Sequence, residues 1–240
     1  MKKVLYALSL CVVFSFAGCT FTQDGWHRSS GKIKTKTFDL KDFTQVKLVG
    51  GLQVRIAQSE QYSVSMTFDS GYFNLFDVFT KDKQLIIQVK PAVNLGLSKP
   101  DIAITMPRLH KLDVGGATSA SVDSFVQPDD SLDIILSGAC YARADVTVKD
   151  LVAKANGASS LDLTGKAETL RYRTNGWGRI SAFDCKGTAA DAVVSGMGRM
   201  EVYAAKELKA QVNGAGSIRY RGNPEHKKLK IAGLGFITEG

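Results

Sequence analysis

The chain has 240 residues, with 31 lysines and arginines against 23 acidic residues, which gives a formal net charge of +8. It contains 23 glycines but only five prolines, and its three histidines are too scattered for a metal-ligand spacing. This composition suits one elongated β domain, and no motif for catalysis or for a cofactor stands out in it. We therefore expect neither an enzyme nor a cofactor-dependent protein.

The N-terminal residues form a targeting segment. Two lysines precede an apolar run over residues 4–16, which has the length of a signal-peptide core and is too short to span a bilayer. The run ends in Phe-Ala-Gly-Cys, which resembles a bacterial lipobox, in which the cysteine is lipidated and becomes the mature N-terminus. The resemblance predicts a lipoprotein signal peptide over residues 1–18, a lipid on Cys19 and a tether over residues 19–37. An ordinary secretory signal or an uncleaved anchor is the alternative.

The residue after the cysteine bears on where the lipid would hold the chain. By resemblance to lipoproteins that are sorted by this residue, Thr20 in place of an aspartate favours the outer membrane over the inner membrane. We expect a cell-envelope protein that contacts the membrane through its N-terminal lipid. Whether it faces the periplasm or the cell surface stays open.

A glycine recurs at a nearly constant interval through the second half of the chain. The steps between its copies are 22, 19, 19, 20, 18 and 19 residues. The copies are Gly116, Gly138, Gly157, Gly176, Gly196, Gly214 and Gly233. Small or apolar residues alternate with polar ones on both sides of each copy, as in strands with one buried face. This repeat predicts a β-solenoid with coils of about 19 residues and a glycine at each corner.

The segment before the repeat shows the same features less regularly. Residues 46–56 resemble a first glycine corner, and residues 63–68, 85–89 and 102–106 alternate as strands. We predict that this part continues the solenoid as a less regular, strand-rich region.

The order of these features resembles a known family. A strand-rich segment, then Met-Pro-Arg-Leu-His-Lys-Leu-Asp-Val-Gly-Gly-Ala at residues 106–117, then serial Gly-x-Gly corners, is similar to the head GIN domain of autotransporter adhesins. The resemblance covers roughly residues 38–238, and we place a single domain over residues 38–240. It implies a right-handed parallel β-helix-like fold at the bacterial surface or in the periplasm. It supplies no activity and no functional residues.

One group of outward residues in the repeat is a candidate ligand site. Phe183 and Tyr203 occupy the same place in successive coils, as do Arg179 and Arg199, and Trp177 projects from a corner. Aromatic rings beside guanidinium groups suit sugar rings, acidic glycans or lipid headgroups. Contacts between coils without any ligand are the alternative. Four further arginines are expected to add charge nearby: Arg171, Arg173, Arg219 and Arg221.

The charge distribution suggests the class of partner. Residues 166–240 carry 13 basic and 7 acidic side chains, whereas residues 19–165 carry 16 of each. A basic surface attracts polyanions, and for a secreted protein these are lipopolysaccharide, phospholipid headgroups or acidic glycans rather than nucleic acid. Another envelope protein is also a candidate partner, and the oligomeric state stays open.

Two other functions remain as alternatives. Asp123 and Asp145 take equivalent positions in adjacent coils, where their carboxylates would lie about 5 Å apart, as in enzymes that cleave polysaccharides. An open last coil would expose strand edges and allow assembly with a partner.

Cys140 and Cys185 lie two coils apart, too far for a disulfide, and we expect both to be buried thiols.

Overall fold

The structure, a computed structural model, describes residues 30–93, 95 and 98–240. The predicted signal peptide, Cys19 and the first part of the predicted tether lie outside these residues. The described part contains 17 β-strands and one 3-10 helix, Phe73–Leu75, and no α-helix. No helix in it is long and apolar enough to cross a membrane.

The strands are numbered in chain order. Those before the glycine repeat are β1 (Ile33–Phe38), β2 (Gln45–Gly50), β3 (Gln53–Gln58), β4 (Ser63–Asp69), β5 (Phe76–Lys81), β6 (Gln84–Val89) and β7 (Asp101–Met106). The first strands of the repeat are β8 (Lys111–Gly116), β9 (Ser119–Gly138), β10 (Tyr141–Gly157), β11 (Ser160–Gly176) and β12 (Arg179–Gly196). The last are β13 (Arg199–Tyr203), β14 (Glu207–Gly214), β15 (Ser217–Arg221), β16 (His226–Gly233) and β17 (Phe236–Glu239).

The glycine repeat forms the predicted solenoid. Gly116 lies opposite Gly50 in one neighbouring coil and opposite Gly138 in the other. The parallel register continues from glycine to glycine as far as Gly233. Each coil thus contributes one strand segment before its glycine and one after it, and the two sets of segments form two faces. The predicted β-solenoid with coils of about 19 residues is confirmed.

Tight stacking explains why the corner residue is glycine. Gly196 has φ +104°, and a Cβ placed there would lie 2.9 Å from the carbonyl oxygen of Gly176 in the next coil. An L side chain rarely adopts that backbone conformation, and the neighbouring backbone leaves it no room. Beside the corners, the amide of Asn175 donates to Oδ1 of Asn156 at 2.7 Å, so polar side chains also pair from coil to coil.

Alternate side chains fill the interior, as the strand pattern predicts. Leu132, Ile134 and Leu136 before the corner are fully buried, and Val122 after the previous corner is 2% exposed. The largest fully buried side chain is Tyr172. Both Cys140 and Cys185 are buried free thiols, as expected.

The N-terminal part is strand-rich and less regular than the repeat, as predicted. The coil register does begin at Gly50, with β2 and β3 pairing in parallel with β8 and β9. However, β4 pairs antiparallel with β1 and β7, and β5 pairs antiparallel with β6. On their other side, β2 and β3 pair in parallel with β6 and β7, which add one more, irregular coil, and the antiparallel strands β1, β4 and β5 close this end of the solenoid. The closing strand β1 begins at Ile33, which the sequence analysis places in the tether.

The other end of the solenoid is exposed. Strand β16 pairs with β14 and β17 pairs with β15, and every residue of β16 is exposed. Leu229 and Ile231 have the register of core residues but are 45% and 49% exposed, because no further described strand covers them.

Candidate functional site

The strand segments after the glycine corners form one continuous sheet with an outward surface, here called the outer face. Its strands lie in the order β4, β7, β3, β9, β10, β11, β12, β13, β15 and β17. Neighbouring strands are about 4.8 Å apart, so the face runs the length of the solenoid. Outward residues at equivalent positions form columns along it.

A groove crosses the N-terminal half of the outer face. It has a volume of about 550 Å³ and extends over β4, β7, β3, β9 and β10. Small side chains line its floor, including Ser65, Ala103 and Ser121. Because the neighbouring positions carry the longer side chains of Arg55 and Arg143, the small residues leave a depression with hydroxyl groups in it and guanidinium groups beside it.

The polar groups of the groove differ in how they are held. Tyr141 donates to Oδ2 of Asp162 at 2.9 Å, and this hydrogen bond, together with partial burial, raises the pKa of the phenol. Arg55 lies 3.8 Å from Asp123, a long contact between two exposed groups. Arg143 has no ion-pair partner among the residues the structure describes. The groove therefore holds guanidinium groups beside the carboxylates of Asp101, which lines it, and of Asp162, which is directly opposite Arg143.

Two of the predicted site residues lie next to each other further along the outer face. Arg179 and Arg199 are directly opposite in the parallel pair of β12 and β13, and both are exposed. Arg179 donates to the hydroxyl of Ser181 at 3.1 Å, and neither arginine has a carboxylate partner within the described ranges. Like charges on directly opposite residues destabilise a sheet. An anion bound between the two guanidinium groups would remove that repulsion.

The predicted aromatic residues lie on the same face but are covered by cations of the protein. The guanidinium of Arg221 lies 4.1 Å from the ring centroid of Phe183, and the ammonium of Lys186 lies 4.2 Å from that of Tyr203. Arg219 also approaches the ring of Phe183, at 5.7 Å. These rings are therefore engaged in cation–π contacts, which orient the surrounding positive charge.

Trp177 lies at a corner between β11 and β12 and not on a strand of the outer face. It is the residue directly after the corner glycine, and its side chain is 68% exposed. Arg171 and Arg173 both precede the corner, on the strand segment of β11 before Gly176, and they are engaged with carboxylates. There Arg173 pairs with Asp191 at 2.8 Å, and Arg171 lies 3.9 Å from Asp150.

The two aspartates proposed as a catalytic pair have separate partners. A β-bulge between β9 and β10 sets Ser124 beside Asp123, so that Asp145 does not face Asp123 alone. Asp145 accepts hydrogen bonds from Ser124 at 2.7 Å and Thr164 at 3.2 Å, while Asp123 faces Arg55. The alignment by position missed this bulge, in which Ser124 has φ +42°.

Sequence reasoning also missed the groove residues. Arg55, Tyr141 and Arg143 belong to the same outward columns as the predicted arginines, since β3, β9 and β10 continue the sheet. Aligning Gly50 with the later corners would have placed Arg55 and Arg143 at equivalent positions. The depression itself arises from β4 and β7, whose place in the sheet has no repeat signal.

In the described part of the chain, no cluster of three or more His, Cys, Asp or Glu residues is arranged to hold a metal ion.

Comparisons with known proteins agree with the fold. A structure from Bacteroides fragilis NCTC 9343, named a "putative adhesin", superimposes with a TM-score of 0.83 at 24% identity, covering 88% of this chain and 99% of that chain. A "putative adhesin" from Parabacteroides merdae ATCC 43184 gives 0.68 at 21% identity, covering 88% and 98%. A "putative lipid binding protein" from Parabacteroides distasonis ATCC 8503 gives 0.67 at 19% identity, with the same coverage of 88% and 98%.

The match extends over nearly the whole length of both adhesin structures. No curated protein matches this chain. The family profile described as "Putative auto-transporter adhesin, head GIN domain" matches residues 42–224, which is most of the chain. This chain therefore belongs to the head GIN domain family.

Proposed function

We propose that this protein is a non-enzymatic adhesion module of the bacterial cell envelope that binds an acidic glycan along its outer face. A lipid on Cys19 would hold the module to the membrane, with the outer membrane favoured by Thr20. The family and the similar structures are named for adhesion, which supports the class of function.

The observation that carries the proposal is the pair Arg179 and Arg199. Their guanidinium groups emerge from directly opposite positions about 4.8 Å apart, without a described carboxylate partner. Guanidinium groups bind carboxylates and sulfates through paired, charge-assisted hydrogen bonds. A polyanion laid across the strands would place its acidic groups at this pair.

The groove extends the same surface toward the N-terminal end. Arg143 lies on β10, two strands from Arg179 on β12, which is about 10 Å along the solenoid axis. The serines in the groove are hydrogen-bonding groups for sugar hydroxyls, and Tyr141 offers a ring that is 43% exposed. A linear acidic glycan therefore meets positive charge, hydroxyl groups and an aromatic surface on one face.

The experiment is calorimetric titration of the segment Ser30–Gly240 with an oligogalacturonate and with a neutral oligosaccharide of equal length. We expect binding of the acidic oligomer only, weakening steeply as salt is raised. Arg143→Ala and Arg199→Ala should each weaken binding about tenfold or more, since hydrogen bonds to charged groups contribute ~1.5–3 kcal/mol each.

Two controls separate a defined site from general positive charge. Arg108→Ala removes one charge from an exposed arginine that pairs with Asp130 on another part of the surface, and it should leave binding unchanged. Arg199→Gln should stabilise the ligand-free protein by ~0.2–1 kcal/mol, because it removes the repulsion with Arg179. Equal losses for Arg108→Ala and Arg199→Ala, or no binding of the acidic oligomer, would refute the proposal.

A further inference from the structure

The residue directly after each corner glycine is never charged. In chain order this column contains Gly51, Ala117, Ala139, Ala158, Trp177, Met197, Ala215 and Leu234. The first half of the column is small, whereas its second half carries three large apolar side chains. Trp177, Met197 and Leu234 are 68%, 50% and 92% exposed. Side chains this large and apolar are unfavourable in water when they are so exposed, which suggests that they contact another molecule.

The three side chains form a ridge. They project from corners that stack in register, from Gly176 to Gly233, so the ridge runs for about 14 Å along the solenoid. The amides of Trp177 and Met197 each donate to a corner carbonyl of the preceding coil at 2.9 Å, which fixes the backbone beneath the side chains. The ridge therefore presents a rigid apolar edge to its surroundings.

The apolar surface continues from the ridge onto the open end of the solenoid. Within the described residues, six of the ten exposed large hydrophobic side chains fall between positions 177 and 236. Besides the ridge they include Leu229, Ile231 and Phe236, which is 52% exposed. Single exposed apolar residues are ordinary, but a contiguous group of them marks an interaction surface.

Positive charge flanks the ridge on both sides. Arg179 and Arg199 follow Trp177 and Met197 by two residues on the outer face, and Lys209, Lys228 and Lys230 lie on the strands that precede the corners. All five side chains are exposed, and none has an ion-pair partner in the part of the chain that the structure describes. The edge thus combines projecting apolar tips with cations on either side.

From this combination we infer that the ridge is a second membrane contact, which inserts into the surface of an anionic lipid bilayer. Tryptophan and aliphatic side chains bury favourably at the boundary between headgroups and acyl chains, while flanking lysines and arginines attract anionic headgroups. The charges make a second copy of this chain a poor occupant, because it would bring Lys228 and Lys230 against the same lysines. The ridge shares Arg179 and Arg199 with the proposed glycan site, so the variants that test it change only the apolar tips and leave both arginines in place.

The test uses the segment Ser30–Gly240, in which Trp177 is the single tryptophan. The segment is mixed with vesicles of phosphatidylcholine containing one quarter phosphatidylglycerol, and with vesicles of phosphatidylcholine alone. We expect co-flotation with the anionic vesicles, a shift of tryptophan emission to shorter wavelength and protection from iodide quenching. The neutral vesicles should produce none of these changes.

Matched variants locate the contact. Leu234→Ser alters an almost fully exposed side chain and cannot disturb the core, and the pair Trp177→Ser with Met197→Ser removes the rest of the ridge. Each should weaken binding to anionic vesicles about tenfold or more, judged from the apolar area lost. Val126→Ser removes a side chain that is 59% exposed away from the glycine corners, and it should have no effect.

Three results would overturn the inference. Equal binding to both kinds of vesicle would remove the role of the cations. Unchanged binding of Leu234→Ser and of the paired variant would show that the ridge does not touch the lipid. A concentration-dependent shift of tryptophan emission without vesicles, with matching dimerisation in analytical ultracentrifugation, would assign the ridge to contacts between copies of this chain.

Discussion

Replacing Gly196 by Ala is expected to destabilise the solenoid strongly, although it adds only one methyl group. At φ +104° a residue with a Cβ is strained by ~1–3 kcal/mol. The new Cβ would also lie 2.9 Å from the carbonyl oxygen of Gly176 and 3.2 Å from its Cα. Relieving that clash separates two coils of a tightly stacked sheet, which costs another ~1–3 kcal/mol. We expect a total loss of about 2–6 kcal/mol in the free energy of unfolding.

Urea unfolding of the segment Ser30–Gly240, followed by circular dichroism, measures this loss. Gly176→Ala should cost less than Gly196→Ala, because its Cβ would lie 3.3 Å from the nearest backbone oxygen. Gly51→Ala is the matched control, since no atom lies within 4 Å of its Cβ and its φ is outside the left-handed region. The control should change stability by less than about 0.5 kcal/mol, or increase it slightly through the unfolded state. If Gly196→Ala is as stable as Gly51→Ala, close stacking is not what fixes glycine at the corners.

The remaining predictions concern the interior and the aspartates. The hydroxyl of Tyr172 is fully buried and has only the Cys185 thiol, a weak hydrogen-bonding group, beside it, so Tyr172→Phe should change stability by less than about 1 kcal/mol in urea unfolding. Burial raises the pKa of the Cys185 thiol from 9.0 to about 11. Between those pH values the unfolded chain has lost the thiol proton and the folded chain has kept it. Stability should therefore fall as pH rises from about 9 to 11, by up to about 2–3 kcal/mol, and Cys185→Ala should flatten that slope. The double substitution Asp123→Asn with Asp145→Asn should leave the binding of oligogalacturonate unchanged. In a reducing-sugar assay we expect no hydrolysis of oligogalacturonate by either the unsubstituted protein or this variant. Hydrolysis by the unsubstituted protein that disappears in the variant would establish the enzymatic alternative.

The two proposed binding surfaces adjoin on one solenoid. The outer face carries Arg143, Arg179 and Arg199 toward a glycan, the corner edge carries Trp177 and Leu234 toward a lipid surface, and Arg179 and Arg199 lie between them. The substitutions that test the glycan site and those that test the ridge change different residues. A variant that loses vesicle binding but keeps oligogalacturonate binding would show that the two contacts act separately.

The interval between the glycines was sufficient to predict the length of each coil and the position of its corner. Each corner has a positive φ and packs against the same corner of the neighbouring coil, and few residue types other than glycine fit there. The corner glycines from Gly116 to Gly233 therefore recur at a regular interval in the sequence. Strand alternation between the corners then assigned the buried residues, including Leu132 and Val122. These properties are readable because each depends on local backbone geometry that every coil repeats.

Tertiary structure alone decided what closes the first end of the solenoid and where the binding surfaces lie. The antiparallel strand β4 pairs with β1 and with β7, both of which lie far from it along the chain, and no interval in the sequence marks such partners. The bulge at Ser124 places that residue beside Asp123 opposite Asp145, and Arg173 pairs with Asp191 on the adjacent strand. Position within a coil fixes whether a side chain points in or out. Which outward side chains meet depends on the bends, bulges and capping strands of the folded chain, because these set the distance between residues that the sequence keeps apart.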